Sequence, residues 1–274
     1  MKELVVVRGG GDIATGTIYR LHRAGYKVLI LESNYPSAIR RHVAFSEAVY
    51  NGEQIVEGER AVLIKGDNLR DEMDMVWRSG SIPLICDEKA RAIDELSPEV
   101  VVDAILAKRN LGTRIDMAPL VIALGPGFTA GTDSHYVIET MRGHDLGRII
   151  SAGSALPNTG VPGAVGGVTK ERVIHSPAEG TLHNIRQIGD IVGLGELIAV
   201  IETFDGQKID VSASIEGVIR GLIRDGYKVT KGFKIADIDP RKDQVKNCTT
   251  ISDKARNIGG SVLELISRHY RLNV

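Results

Sequence analysis

The stretch LVVVRGGGDIATG, residues 4–16, decides the fold expected for this chain. Its β-branched run predicts a buried strand, its glycines predict a tight turn, and apolar residues then recur at helical spacing until Gly25. A second apolar run at 28–31 closes on Glu32. Strand, turn, helix and strand make a βαβ unit, because parallel pairing of two strands needs such a crossover.

The same rhythm continues beyond this unit. Further apolar runs predict strands at 61–64, 82–86, 100–102 and 120–124. Alternating strands and helices imply an open parallel sheet, whose ligands bind beyond the carboxyl ends of the strands. We therefore expect functional residues to follow these runs directly.

The pattern changes after residue 124. Glycine, proline and small polar residues are concentrated between 125 and 168, which indicates a loop-rich connector. Farther along, a motif recurs without gaps 37 positions later, so that Glu179, Gly180, Gly189, Val192, Gly195 and Ile201 correspond to Glu216, Gly217, Gly226, Val229, Gly232 and Ile238. Neither copy is expected to be stable alone, so the two should interlock in one small β domain.

This repeated region resembles the biotinyl/lipoyl carrier fold, in which two half-motifs are related by pseudo-twofold symmetry. The link between the copies has Asp205 and Gly206 at the tip of a hairpin, where the carriers have their modified lysine. Lys208 lies beyond this tip. The arrangement therefore does not favour a swinging-arm role.

The chain is thus predicted to be an α/β protein with a Rossmann-like parallel sheet domain, a small all-β barrel-sandwich hybrid domain of the biotinyl/lipoyl type and a C-terminal helical segment. The predicted regions are a nucleotide- or cofactor-binding domain at 1–124, the glycine-rich connector at 125–172, the β domain at 173–240 and a helical tail at 241–274. In the tail, Ser252 is expected to cap a helix that Gly259 and Gly260 interrupt.

Charge and composition exclude several classes of function. The 34 basic residues nearly balance the 35 acidic ones, so no strong field favours nucleic acid or an anionic membrane as partner. The first apolar run is too short for a signal peptide or a membrane span, which predicts a cytoplasmic location. Two distant cysteines favour neither a disulfide framework nor a zinc site, and we expect no metal. Oligomerisation stays open.

The glycine turn is the strongest candidate binding site. Gly9, Gly11 and Ala14 match the G-x-G-x-x-A fingerprint in its strand-turn-helix context. Gly9 permits the turn, Gly11 lets backbone amides approach a pyrophosphate at the positive end of the helix, and Ala14 allows close packing. Glu32 can accept hydrogen bonds from ribose hydroxyls.

Two other residues belong to the same turn, Gly10 and Asp12. The carboxylate of Asp12 would repel a phosphate unless it faces away. A simpler interpretation, in which the glycines only form a βα turn, also stays open.

Later segments supply further candidates. Arg40 and Arg41 follow the second strand and could bind a ribose phosphate or another anion. Asp87 and Asp103 end neighbouring strands, where they could hydrogen-bond a ligand.

A second glycine-rich turn leaves the last predicted strand. Its backbone amides could bind a second anion or a substrate oxyanion, and the candidate residues are Gly125, Gly127, Thr129 and Gly131. His135 and Arg142 follow this turn and could face an anionic ligand.

Six segments together resemble the YqeB-like family of accessory proteins for selenium-dependent molybdenum hydroxylases. They are RGGGDIATGTIYRLHRAGY (8–26), SAIRRHVAFSEAVYNG (37–52), VVVDAILAKRNLGT (100–113), ALGPGFTAG (123–131), DSHYVIETMRGHDLGRII (133–150) and ISDKARNIGGSVLELI (251–266). The Rossmann part is also similar to XdhC-like molybdenum cofactor chaperones. The resemblance covers almost the whole chain.

The resemblance implies a maturation factor or chaperone. It would bind the molybdenum cofactor or a molybdopterin nucleotide transiently and act on a molybdenum hydroxylase apoprotein such as xanthine dehydrogenase. It would hold the phosphates of this nucleotide-like small molecule at 9–14, with the pterin reaching 125–131.

Two alternatives come from other features of the chain. The fingerprint and Glu32 favour an NAD(P)-dependent oxidoreductase, whereas the repeat favours a carrier or docking module. No serine-histidine-acid order, P-loop or paired general acid and base is evident, so no catalytic residue is named and enzymatic activity stays open.

Overall fold

The computed structural model describes residues 4–160, 163 and 165–272. They form two compact units, each assembled from segments that are distant in the sequence. The first unit comprises Met1–Pro36, Ala44–Thr159 and Ile251–Val274, and the second comprises Ser37–Val43 and Gly160–Thr250.

The first unit has alternating strands and helices in its early part and short strands later. Its strands are β1 (Leu4–Arg8), β2 (Lys27–Glu32), β3 (Glu53–Val56), β4 (Glu59–Leu63), β5 (Ile82–Cys86), β6 (Val100–Asp103), β7 (Leu120–Leu124), β8 (Thr129–Ala130), β9 (Tyr136–Ile138), β10 (Ile149–Ile150) and β11 (Gly153–Ser154). Its helices are α1 (Asp12–Arg23), α2 (Ala48–Asn51), α3 (Leu69–Arg78), α4 (Arg91–Leu96) and α5 (Asp253–Leu272), with 3₁₀ turns at Phe45–Glu47 and Ile115–Met117.

Nine of these strands form one sheet in the order β10-β9-β7-β6-β1-β2-β5-β4-β3. All neighbouring strands from β9 to β4 pair in parallel, whereas the two edge strands, β3 and β10, pair antiparallel with their neighbours. The central strands β1, β6 and β7 are buried along their whole length, as strands covered on both faces should be. The predicted strands at the start of the chain and at 82–86, 100–102 and 120–124 are confirmed.

The predicted fold class, a Rossmann-like parallel sheet joined to a barrel-sandwich hybrid of the biotinyl/lipoyl type, is wrong. The large sheet is mixed, because hairpins rather than helical crossovers connect its edge strands. The remaining strands form separate antiparallel sheets, and the C-terminal segment is one helix of 20 residues. The alternation in the sequence indicated the parallel centre but could not reveal short edge strands.

The edge formed by β3 shows why the sequence did not reveal an antiparallel strand. The hairpin between β3 and β4 turns at Glu57 and Gly58, both at positive φ, which is the conformation of a tight two-residue turn. The strands on either side of this turn have only four and five residues, which leaves little periodicity to detect.

Helices α1 and α5 pack closely against each other where α1 has a glycine, Gly16. A Cβ on Gly16 would lie 2.7 Å from atoms of Ala255, which leaves no room for a side chain. Arg20 Nε donates to the carbonyl of Arg256 farther along the same contact. The prediction that Gly259 and Gly260 interrupt the tail is wrong, since both lie inside α5. The predicted serine cap is confirmed, because the Ala255 amide donates to Ser252 Oγ at 3.2 Å.

The second unit consists of strands and 3₁₀ turns. Its strands are β12 (Val173–His175), β13 (Gly180–Asn184), β14 (Ile191–Val192), β15 (Leu197–Glu202), β16 (Lys208–Ser212), β17 (Gly217–Leu222), β18 (Lys228–Val229) and β19 (Lys234–Asp239). Its 3₁₀ turns are Arg41–Val43, Lys170–Arg172 and Lys242–Thr249. The strands form two four-stranded antiparallel sheets, β12-β19-β17-β14 and β16-β15-β13-β18.

The two copies of the repeat exchange strands in this unit. The short β14 of the first copy pairs with β17 of the second, and β18 of the second pairs with β13 of the first. Gly180 packs against the carbonyl of Glu202, and Gly217 packs in the same way against the carbonyl of Asp239. The repeated glycines therefore occupy equivalent positions where strands cross closely.

Candidate functional site

The glycine turn lies between β1 and α1 at the carboxyl edge of the large sheet. Gly9 has φ of +96°, and a Cβ there would lie 3.0 Å from the carbonyl oxygen of Ala104. Gly11 precedes α1 with an extended backbone, and nothing lies within 4 Å of the position of its missing Cβ. No side chain caps this end of α1. A side chain at Gly11 would therefore extend into open space at the start of α1.

Glu32 fills the other side of this turn. Its carboxylate accepts the Gly10 amide at 2.7 Å and the Ser33 amide at 2.7 Å, one on each oxygen. Burial raises the pKa of Glu32 above its ordinary value, although both amides act in the opposite direction. Both oxygens thus bind the protein's own backbone, whereas the sequence predicted that they would bind ribose.

Asp103 belongs to a buried network behind the turn. It accepts a hydrogen bond of 2.6 Å from the Thr113 hydroxyl and lies 3.5 Å from the guanidinium of Arg8. Arg8 also donates to Thr113 and to the carbonyl of Leu111. Burial raises the pKa of Asp103, against the effect of these donors. The network fixes the segment after β6 and leaves Asp103 only 1% exposed.

Asp87 follows β5 and accepts a hydrogen bond from a neighbouring helix. Its Oδ2 accepts the Ala92 amide at 2.8 Å, which ties it to the start of α4. The adjacent Cys86 thiol has a pKa raised by burial and by the nearby carboxylates of Glu32 and Glu88. A thiol in such surroundings stays protonated and is a weak nucleophile.

The second glycine turn differs from the expected open loop. The amides of Gly125, Thr129 and Gly131 donate within the protein, to Ile138 O, Asp133 Oδ2 and Ser134 O respectively. A Cβ on Gly127 would lie 2.7 Å from the backbone of Arg109. This turn packs against its own unit, so the expectation of unencumbered amides does not hold here.

His135 lies at the opposite edge of the sheet from the glycine turn. Its Nδ1 accepts the Val121 amide at 3.0 Å, near the amino end of β7, so a proton on the neutral ring is on Nε2. Burial and the nearby His269 lower the pKa of His135. His135 therefore does not share a site with residues 9–14.

Arg142 follows β9 and therefore lies at the carboxyl edge of the sheet, the same edge as the glycine turn. Its guanidinium forms a bidentate pair with Asp253 at 2.8 and 2.9 Å, at the first residue of α5. The pair is largely exposed.

Lys254 is the functional candidate that sequence reasoning missed. Burial lowers the pKa of its ammonium, which also interacts electrostatically with Asp12, Arg142, Glu139 and Asp253. Within the described part of the chain, its Nζ makes no hydrogen bond or ion pair. No local signal marks this lysine, because its neighbours are brought together only by folding.

Two helix N-termini meet beside Lys254. Asp12 at the start of α1 interacts with Lys254 at the start of α5, and Tyr26 just after α1 stacks on Tyr270 near the end of α5. The helices therefore run in the same direction, with their positive ends together.

Arg40 and Arg41 belong to the second unit. Arg40 donates to the carbonyls of Asn247 and Thr250 at 2.9 and 3.1 Å, and Arg41 Nε donates to the Leu222 carbonyl at 2.8 Å. Both side chains hold backbone groups of their own unit.

Comparison with known proteins identifies a relative of this chain. No protein-family model matches the chain. Uncharacterized protein YqeB of Escherichia coli (strain K12) is 51% identical over 264 residues, which are 96% of this chain and 47% of that protein. The chain is thus similar to YqeB over nearly its whole length, and it spans about half the length of that relative.

The solved structures that resemble the chain do so only distantly. The product-bound ectoine utilization protein EutE (DoeB) from Ruegeria pomeroyi has 12% identity and a TM-score of 0.26, covering 86% of this chain and 57% of that one. An aspartoacylase family protein from Mesorhizobium loti has 10% identity and a TM-score of 0.29, covering 86% and 84%. A succinylglutamate desuccinylase from Silicibacter sp. TM1040 has 11% identity and a TM-score of 0.28, also covering 86% and 84%.

These comparisons correct the predicted function. The matched structures are described as an ectoine utilization protein, an aspartoacylase family protein and a succinylglutamate desuccinylase, and none of the matched proteins is described as a molybdenum or selenium maturation factor. The prediction of a molybdenum hydroxylase chaperone, with its oxidoreductase and carrier alternatives, finds no support in these comparisons and is not retained. Among the residues that the structure describes, no helix combines the length and apolar character needed to cross a bilayer.

Proposed function

We propose that the first unit binds a small phosphate-bearing molecule at the carboxyl edge of its sheet. The observation that carries this proposal is the start of α1, which has no side-chain cap and open space beside Gly11. Amides at the positive end of a helix that no side chain caps are well suited to an oxyanion. The amides at the start of α1 would hold the phosphate.

The local charges support the same assignment. The positive ends of α1 and α5 lie together, and the Lys254 ammonium adds a further positive charge without a bonded partner in the described residues. Asp12 interacts with this ammonium, so its carboxylate is an acceptable neighbour for a phosphate. An anionic ligand would supply the missing partner of Lys254.

The turn favours one phosphate over a dinucleotide. Glu32 occupies the Gly10 amide, which a pyrophosphate bound in the fingerprint manner would approach. A dinucleotide would have to displace this buried carboxylate, whereas a monophosphate at the start of α1 would not. Binding of NAD(P) or of a molybdopterin nucleotide stays a prediction, because no contact in the structure tests it.

A phosphate titration tests the proposal. We would titrate inorganic phosphate, AMP and NAD⁺ into the protein by calorimetry, and repeat this with Gly11→Asp and Gly11→Ala. Gly11 has φ of −63°, so either side chain fits without backbone strain. Phosphate should bind the native protein and Gly11→Ala, while Gly11→Asp should bind it at least ~10-fold more weakly, because a carboxylate caps the same amides and repels the anion.

The stability of the Gly11→Asp variant provides an independent control. Asp is a better helix cap than Gly by a few tenths of a kcal/mol, so Gly11→Asp should be as stable as the native protein or slightly more stable. Equal phosphate affinity in a folded Gly11→Asp variant would refute the site, as would the absence of binding by the native protein.

A further inference from the structure

We infer that the loop after β6 binds an oxyanion, the phosphate or carboxylate of a small molecule, at residues 106–108. Residues 104–112 are called the Lys108 loop here. Its backbone amides and the Lys108 ammonium would hold the anion. The inference goes beyond the phosphate proposed at the start of α1, and neither site depends on the other.

Glycine turns contact both ends of the Lys108 loop. A Cβ on Gly9 would lie 3.0 Å from the carbonyl oxygen of Ala104 and 3.1 Å from the Cα of Ile105. At the other end, a Cβ on Gly127 would lie 2.7 Å from the backbone of Arg109. The loop therefore lies at the carboxyl edge of the sheet, where open α/β sheets bind their ligands.

Buried groups fix the ends of the loop. Asp103 Oδ1 accepts the Ile105 amide at 3.1 Å, and Asp103 Oδ2 accepts the Thr113 hydroxyl at 2.6 Å. Arg8 donates to the carbonyl of Leu111 at 3.0 Å. These contacts hold the loop in one conformation before any ligand binds.

The middle of the loop has the backbone of an anion-binding nest, a concavity lined by successive amides. Leu106 and Lys108 have φ of +59° and +61°, whereas Ala107 between them does not have a positive φ. Such alternation of left- and right-handed residues brings neighbouring amides together around an anion. None of the described residues accepts a hydrogen bond from the amides of residues 106–108. These amides are therefore left for an external oxygen.

The side chains at the two left-handed positions have different environments. A left-handed backbone is strained for a residue with a Cβ but not for glycine. Leu106 has a packing role, because it is partly buried and its Cδ2 lies 3.4 Å from the Cβ position of Gly125. Lys108 is exposed, and its side chain bonds to none of the residues that the structure describes. Glycine would suit the fold better at 108, so the lysine serves an external group.

The local charge favours an anion as this group. Lys108 and Arg109 are both exposed, and neither forms an ion pair within the described part of the chain. The acidic group at the base of the loop, Asp103, is only 1% exposed and already accepts two hydrogen bonds. An ammonium next to unbonded amides suits an oxygen of a phosphate or carboxylate.

Amide NMR tests the inference residue by residue. Inorganic phosphate and, separately, acetate would be titrated into the ¹⁵N-labelled protein, with sodium chloride of equal ionic strength in a parallel sample. The amide signals of Ala107 and Lys108 should shift saturably with phosphate or acetate and should not shift with chloride. The anion that binds more tightly identifies the group that the loop prefers.

Substitutions of Lys108 separate binding from folding. Lys108→Gly removes the ammonium and relieves the backbone strain, so the anion should bind about tenfold more weakly while the urea midpoint stays the same or rises. Lys108→Gln keeps the strain and should weaken binding to a similar extent. Lys231→Gln is the control, because Lys231 is exposed on a turn of the second unit, and it should leave the affinity unchanged.

Three results would overturn the inference. They are the absence of a saturable shift at Ala107 and Lys108, equal shifts with chloride, and a lower urea midpoint for Lys108→Gly, which would give the lysine a structural role. Failure of the phosphate site at α1 would be seen at other residues. Shifts in the loop without shifts at the start of α1 would refute only that phosphate site, and the reverse pattern would refute only the loop.

Discussion

The backbones of Gly16 and Gly259 are in direct contact, because a Cβ on Gly259 would lie 2.6 Å from the carbonyl oxygen of Gly16. This contact sets how closely α5 approaches α1. It therefore also sets the position of Lys254, one turn earlier on α5, relative to Asp12.

Gly259→Ala tests this contact. The added methyl group has no space, so the free energy of unfolding should fall by about 1–3 kcal/mol, the usual cost of overpacking. Gly260→Ala is the matched control, since nothing lies within 4 Å of its Cβ position on the same helix. It should stabilise the protein by about 0.5–1 kcal/mol through helix propensity. Urea denaturation of both variants measures the difference, and equal effects would contradict the packing.

The equivalent glycines of the repeat should respond alike. A methyl group at Gly180 would clash with the Glu202 carbonyl, and one at Gly217 with the Asp239 carbonyl. Gly180→Ala and Gly217→Ala should each lower the unfolding free energy by about 1–3 kcal/mol. Gly193→Ala, with its nearest neighbour 3.8 Å away, should change it by no more than about 0.5 kcal/mol. Thermal unfolding would decide, and a harmless substitution at either repeat glycine would speak against the interlocked strands.

Glu32 should make stability depend on pH. Its pKa is raised above the ordinary 4.5, so between pH 4.5 and the higher folded-state value the folded protein binds more protons than the unfolded chain. The free energy of unfolding should therefore fall as pH rises through this window. Glu32→Gln removes the titration and should flatten that slope, while its amide oxygen can still accept the Gly10 amide. Urea unfolding at a series of pH values would show the slopes, and identical slopes would exclude a raised pKa.

Arg142→Met should change Lys254 more than it changes stability. The Arg142–Asp253 pair is largely exposed, so its loss should cost less than about 1 kcal/mol. Removing the positive charge and releasing Asp253 both favour the ammonium, which raises the pKa of Lys254. The pH dependence of the reaction of Lys254 with an amine-specific reagent, followed by peptide mass spectrometry, measures this pKa. Arg114→Met, which breaks the exposed pair with Asp116, is the control and should leave that pH dependence unchanged. A lower pKa of Lys254 in Arg142→Met would contradict these charges.

Part of the site could be read from the sequence because its signals are local. The turn at 9–11 needs glycine where the backbone passes the Ala104 carbonyl, and strand, turn and helix follow one another in the chain. Glu32 was identified as a residue of this turn, but its partner was not, since spacing alone cannot show that a carboxylate binds the Gly10 amide.

Other candidates were misplaced because position along the chain does not give position in space. His135 follows a glycine turn at the carboxyl edge, yet the chain crosses the sheet before β9, and the histidine returns to the amino edge. Arg40 and Arg41 follow β2, but the segment 37–43 belongs to the second unit.

The sequence by itself determined the buried central strands, the glycine turn, the serine cap of α5 and the 37-residue repeat. Each depends on burial or backbone conformation that neighbouring residues record as periodicity or as a required residue type. Only the tertiary structure decided the antiparallel edges of the sheet and the pairing of α1 with α5. It alone brought Lys254 to Asp12, because a contact between the two ends of a chain is made by packing and leaves no local pattern.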